Sequence, residues 1–187
     1  MRHKLTVLLA CACAFTALVG ASTLRADTGT EPPTTTTTET APVEPDLTPV
    51  RREIQRLRHE TWHWQRVMGR PLTRQLRNAD AGPVQRLAIW RRLAAGVRRH
   101  AQNPPHRRQW LCIHHFEGSW RDPNAPYYGG LQMDVQFQRT YAAAIFRRKG
   151  TADHWTPLEQ MWTAERAHQS GRGFYPWPNT ARYCGLI

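Results

Sequence analysis

The stretch Cys112-Ile113-His114-His115-Phe116-Glu117-Gly118-Ser119-Trp120 runs from a cysteine through apolar and histidine residues to one carboxylate, then a glycine. It predicts a short helix over 107–116, with Gly118 able to close it as a C-cap. Glu117 then stands at the helix end beside Ile113, Phe116 and Trp120. Partial desolvation there favours the protonated carboxyl that a general acid requires, the state glycosidases prepare before protonating a leaving oxygen. The bland alternative is a half-exposed carboxylate at a helix end. The residues that follow suit a sugar ligand. Trp120, Tyr127 and Tyr128 offer flat faces to pyranose rings, Asn124 and Gln132 offer amides to hydroxyls and acetamides, and Gly129-Gly130 lets backbone approach a substrate closely. The competing reading has the same aromatic residues filling a small core.

Working outward, residues 119–133 hold Pro123, Pro126, Gly129 and Gly130 and read as loops with a small hairpin. Asp134 can cap a helix that carries Phe137, Tyr141, Ala144 and Ile145 on one face and ends at Gly150. Thr156-Pro157-Leu158-Glu159 is a capping box with proline in the first turn; its helix carries Leu158, Met161, Trp162 and Glu165 and closes at Gly171 and Gly173. Upstream, Pro49 opens a helix over 49–68 with Val50, Ile54, Leu57, Trp64 and Met68 inward, ended by Gly69 and Pro71. A second helix starts at Pro83, turns Val84, Leu87, Trp90, Ala94 and Val97 inward, and stops at Asn103-Pro104-Pro105. The fold class is therefore α+β, mainly helical, with a short β-hairpin.

The termini and the charge set the compartment. A basic start (Arg2, Lys4), an apolar run from Leu5 to Val19 and small residues to Ser22 have the layout of a secretory signal peptide, assigned to 1–26, with cleavage after Ala21 or Ala26. Leu8-Leu9-Ala10-Cys11 resembles a lipid-attachment box, but the apolar run before it is short and continues past it. Residues 27–47 are Thr, Pro, Glu and Ala with little to bury and read as a disordered tether. Residues 51–110 hold 15 basic and 3 acidic side chains, so nearly all of the net charge of +12 sits there. That makes 48–105 a basic helical segment, with arginines that are either a solvated face or an attraction for a polyanion. Cys11 and Cys13 lie in the signal, leaving Cys112 and Cys184, which in an exported protein most simply pair; two free thiols would require a reducing compartment.

Taken in order, Cys112-x-x-x-x-Glu117-Gly118-Ser119-Trp120, Tyr127-Tyr128-Gly129-Gly130-Leu131-Gln132, Glu159-Gln160, Ala164-Glu165-Arg166, Gly171-Arg172-Gly173, Trp177-Pro178 and Cys184-Gly185-Leu186 are similar to the catalytic domain of the resuscitation-promoting factors. These are exported actinobacterial peptidoglycan-cleaving proteins with a reduced lysozyme-like fold, related to lytic transglycosylases. The resemblance covers about 110–187 and implies a lysozyme-like domain over 106–187. It also implies Glu117 as the catalytic acid, Tyr128 to Gln132 as the substrate cleft and Cys112–Cys184 as a disulfide. Two departures stand out. Gly118-Ser119 follows the acid where the family has Ser-Gly-Gly, and the family's threonine after the Gly-Gly-x-Gln motif has Thr140 as its counterpart only if the helix start has been extended.

The expected function is cleavage of the MurNAc-GlcNAc β-1,4 bond of peptidoglycan by a secreted, wall-associated monomer. A two-carboxylate hydrolase needs a partner from Asp122, Asp134 or Asp153, whereas a transglycosylase needs one glutamate, so transglycosylation is favoured. The rival is a non-catalytic peptidoglycan or polyanion binder. Glycan strands, and anionic wall polymers on the Arg-rich helices, are the expected partners; export argues against nucleic acid. No cofactor is expected, and no metal, because adjacent histidines such as His114-His115 point apart on a helix and His100 and His106 add no zinc-like spacing.

Overall fold

The computed structural model describes residues 45–74, 76 and 80–187. The expected signal peptide and residues 27–44 of the expected tether lie outside the described residues. Helix α1 is Thr48–Val67, with Pro49 in its first turn and the Asp46 carboxylate accepting from Thr48 N at 2.8 Å. Helix α2 is Pro83–Ala101, where the Gln85 side chain accepts from Gly82 N at 3.3 Å. Glu53 faces Arg91 and, seven residues further along each helix, Glu60 pairs with Arg98 at 2.7 Å. The pairs advance together, so α1 and α2 run side by side in the same direction. The connecting chain returns along α1, with Thr73 bonded to Trp62 and Gln65 and Leu76 packed beside Leu57, Trp90 and Ala94.

One residue expected inward on α2 faces out, and on the later helix from Val135 so does Ala144. Val84 is 65% exposed. In the register set by Glu53–Arg91 and Glu60–Arg98, position 84 lies opposite position 46, before α1 has begun, so no helix is there to cover it.

Helix α3 is Arg107–Glu117. Strands β1, Tyr127–Tyr128, and β2, Met133–Asp134, form a two-stranded antiparallel hairpin with Tyr127 opposite Asp134 and Tyr128 opposite Met133. Helix α4, Val135–Lys149, starts where the Asp134 carboxylate accepts from Phe137 N at 2.6 Å. Helix α5, Pro157–Ala167, opens on the reciprocal pair Thr156 and Glu159, and α6 is Pro178–Tyr183. Among the described residues the fold is mainly helical with one small hairpin.

The main core gathers Val67 and Met68 from the end of α1 and Ala101 from the end of α2. From the later chain it takes Trp110, Ile113, Trp155, Trp162 and Trp177. It continues through the change of composition at 105, and Trp162 donates its indole N–H to Ala101 O at 2.7 Å. Helix α5 is covered almost all round, which exceeds the one-sided burial read from its sequence. Its polar residues are satisfied inside: Gln160 bonds Gly130 N, Trp120 O and Ala152 O, and Glu159 accepts from Lys149 at 2.7 and 2.8 Å, from Thr156 N at 2.8 Å and faces His63 at 3.2 Å. Burial works to raise the Glu159 carboxyl, but hydrogen bonds from His63, Lys149 and Thr156 outweigh it. They hold the group below its ordinary 4.5, at about 2.

Candidate functional site

Glu117 is the last residue of α3, and the helix stops there because Gly118 takes φ +133°, a conformation that side chains other than glycine's rarely adopt. Cys112, one and a half turns earlier, is bonded to Cys184 just beyond α6. This bond lays α6 against α3. Thr180, 8% exposed on α6, then donates its hydroxyl to Glu117 Oε1 at 2.7 Å. The Glu117 carboxyl is half-buried, and among the described residues no hydrogen bond reaches Oε2.

Asp122 organises the other side. Its Oδ1 accepts from Asn124 N at 3.1 Å and Asn124 Nδ2 at 2.5 Å, while Oδ2 accepts from Gln132 Nε2 at 2.9 Å. A Cβ built on Gly118 would lie 3.8 Å from Asp122 Oδ2 and 4.0 Å from Gln132 Nε2, which places this carboxylate–amide cluster against the turn that follows Glu117. Gln132 sits at φ +45°, a backbone state uncommon for a residue with a side chain, and its side-chain Nε2 donates hydrogen bonds to Asp122 Oδ2 and Gly129 O. Asp122, with three N–H donors on it, is a scaffold carboxylate. Asp134 caps α4, and Asp153 is buried beside His154 at 3.1 Å.

The remaining residues named from sequence divide. Tyr127 is half exposed at the hairpin edge, and Tyr128 packs partly against the core. Trp120 stacks on the His114 ring with centroids 3.9 Å apart and planes at 25°. Gly129 and Gly130 are buried, and their missing side chains leave room for the protein's own groups. A Cβ on Gly129 would meet Gln160 Oε1 at 2.5 Å, and one on Gly130 would meet His114 Nδ1 at 2.5 Å and Trp120 at 2.8 Å. Thr140 is exposed on α4, and its hydroxyl donates to Gln136 O. Thr180, rather than Thr140, is the threonine beside Glu117.

Sequence reading missed Thr180 and the exposed pair Phe116 and Tyr183, whose rings lie 5.6 Å apart beside the same helix ends. The signal was the spacing to Cys184. A bond from Cys184 to Cys112 puts the preceding helical turn, with Thr180 and Tyr183, against the turn of α3 that ends at Glu117. Chemically, the arrangement offers one carboxyl with one oxygen oriented by a hydroxyl, next to exposed aromatic faces and a fixed amide. It suits proton transfer by a single carboxyl better than a displacement needing two unengaged carboxylates. Among the described residues one trio of potential metal ligands converges, His106, Glu165 and His168, and it lies outside this site. Compared with family models, curated proteins and solved structures, the chain matches none.

Proposed function

We propose that the protein is an exported peptidoglycan-cleaving enzyme with a lysozyme-like catalytic domain, acting on the MurNAc-GlcNAc β-1,4 bond by lytic transglycosylation. The observation that carries this reading is the Thr180 hydroxyl on Glu117 Oε1, combined with an Oε2 that no described group engages. Glu117 gives its proton to the glycosidic oxygen as the C1–O bond breaks. The resulting carboxylate then takes the proton of the sugar's own C6 hydroxyl, whose oxygen closes on C1. A 1,6-anhydro ring forms, water is not consumed, and the carboxyl is restored. The full engagement of Asp122 by Asn124 and Gln132 supports this route over two-carboxylate hydrolysis. The order of motifs from Cys112 to Cys184 supports the substrate class.

Clearing of cell-wall material tests the proposal. Wild type is expected to clear a zymogram and release anhydro sugars by mass spectrometry, and Glu117→Gln to abolish both. No clearing by wild type leaves the non-catalytic binder; equal clearing by the variant removes Glu117 as the acid; reducing ends without anhydro sugars replace transglycosylation by hydrolysis. The exposed arginines of α2, Arg91, Arg92 and Arg99, are proposed to hold anionic wall polymers. Sedimentation of the Glu117→Gln protein with walls is then expected to weaken as salt rises.

A further inference from the structure

His106 is the residue before α3, Glu165 lies in the last turn of α5, and His168 opens the turn after it. Glu165 and His168 follow His106 by 59 and 62 positions along the chain, yet one ligand atom from each of the three lies within 4.8 Å of the others. Glu165 is fully buried. Its Oε1 accepts from His106 N at 2.6 Å and from Trp110 Nε1 at 2.8 Å, so the carboxylate cannot swing away, and its Oε2 faces His106 Nδ1 at 3.1 Å. The His106 and His168 rings lie 4.1 Å apart, and the Phe174 ring meets each of them edge-on, at 5.6 and 4.8 Å. Both imidazoles are half-buried, so an ion can enter from solvent.

We propose that His106, Glu165 and His168 form a zinc site with three protein ligands and one position left for water. Two imidazoles and one carboxylate are a donor set that suits zinc, whereas calcium and magnesium want more oxygens than are present. With zinc bonds of about 2.0–2.1 Å, neighbouring ligand atoms of a tetrahedral shell lie about 3.3 Å apart. His106 Nδ1 and Glu165 Oε2 already stand 3.1 Å apart. The His168 ring completes the shell by turning inward about its side-chain bonds. The two donors on Glu165 Oε1 act as the hydrogen bonds that orient a ligating carboxylate.

Capping the start of α3 requires His106 N and Glu165 alone; the packing of His168 onto the same spot is what a cap leaves without a purpose. Bound zinc would tie the start of α3 to the end of α5 and to the turn leading toward α6. Those are the elements that carry Glu117 and Thr180, so the ion acts as a clamp on their frame and does not touch substrate. The site stands on its own residues, whether or not Glu117 cleaves glycan.

The test uses the full chain stripped with a chelator and titrated with Zn²⁺ by calorimetry at pH 7.5, with Co²⁺ absorption as the readout of coordination. One Zn²⁺ per chain is expected, with a rise in Tm and a Co²⁺ visible band of low-symmetry, four- or five-coordinate type. His168→Gln is expected to weaken binding at least tenfold and remove the band while the metal-free Tm stays put. His154→Gln, an exposed histidine elsewhere, is expected to change neither. If His168→Gln binds like wild type, or wild type shows no saturable single site, the proposal fails. Because His168 lies in a turn, its variant remains readable even if His106→Gln does not fold.

Discussion

At Glu117 the decisive contact is a single hydroxyl. Thr180 donates at 2.7 Å to a half-buried carboxylate, and Thr180→Val removes that donor with little change of shape. Water can replace the lost bond at a half-exposed group, so stability is expected to fall by less than about 1.5 kcal/mol in urea unfolding. Activity on wall fragments is expected to fall roughly 10- to 100-fold, because an unanchored acid samples unproductive orientations, and Thr180→Ser is expected to restore most of it. The place of Glu117 at the end of a short helix, with a glycine closing it, was legible from the sequence. The partner threonine was not, because it lies 63 positions away and comes into reach through a bond between two cysteines. Gly129 and Gly130 show a second limit. A glycine pair announces close approach without saying by what, and here Gln160 and the His114–Trp120 stack take the space.

Among the elements, α5 carries the most. Its start was readable from Thr156-Pro157-Leu158-Glu159 because a capping box is a local device, and the same holds for Asp134 at α4. Its burial on every side was not readable, since which neighbours cover a helix is decided by chain far away. Glu159 belongs to both descriptions: it caps α5 and also receives Lys149 of α4 and His63 of α1. Its folded carboxyl sits at about 2 against an ordinary 4.5, so the unfolded chain takes the proton more readily. The stabilisation is complete above the unfolded value and is lost as pH falls from about 4.5 toward 2. Urea unfolding at pH 6, 4 and 3 is expected to show this decline, and Glu159→Gln to flatten that part of it. At pH 6 the variant is expected to be less stable by about 2 kcal/mol, since Lys149 loses its buried partner. The same outside control explains Val84, whose place on the inward face of α2 was correct by periodicity and wrong because α1 starts too late to meet it.

For the molecule as a whole, the described residues fold about two apolar centres, a small one around Leu57, Trp90 and Ala94 and a large one fed by every helix from α1 to α5. The Cys112–Cys184 bond closes a span of 72 positions around much of the large one. Replacing both cysteines by serine is expected to lower stability by roughly 4 kcal/mol on the chain-entropy account. Calorimetry in oxidising and reducing buffer checks it, the reduced wild type approaching the double variant. Composition divides the chain at 105, yet Val67, Met68 and Ala101 find their neighbours among residues made later. A ribosome delivering this chain from its start therefore releases two helices whose apolar tips stay uncovered until Trp162 of α5 emerges. The main core is complete only with Trp177, in the last tenth of the sequence, and a protein cut short before α5 would present those tips to chaperones and proteases instead of to its own core.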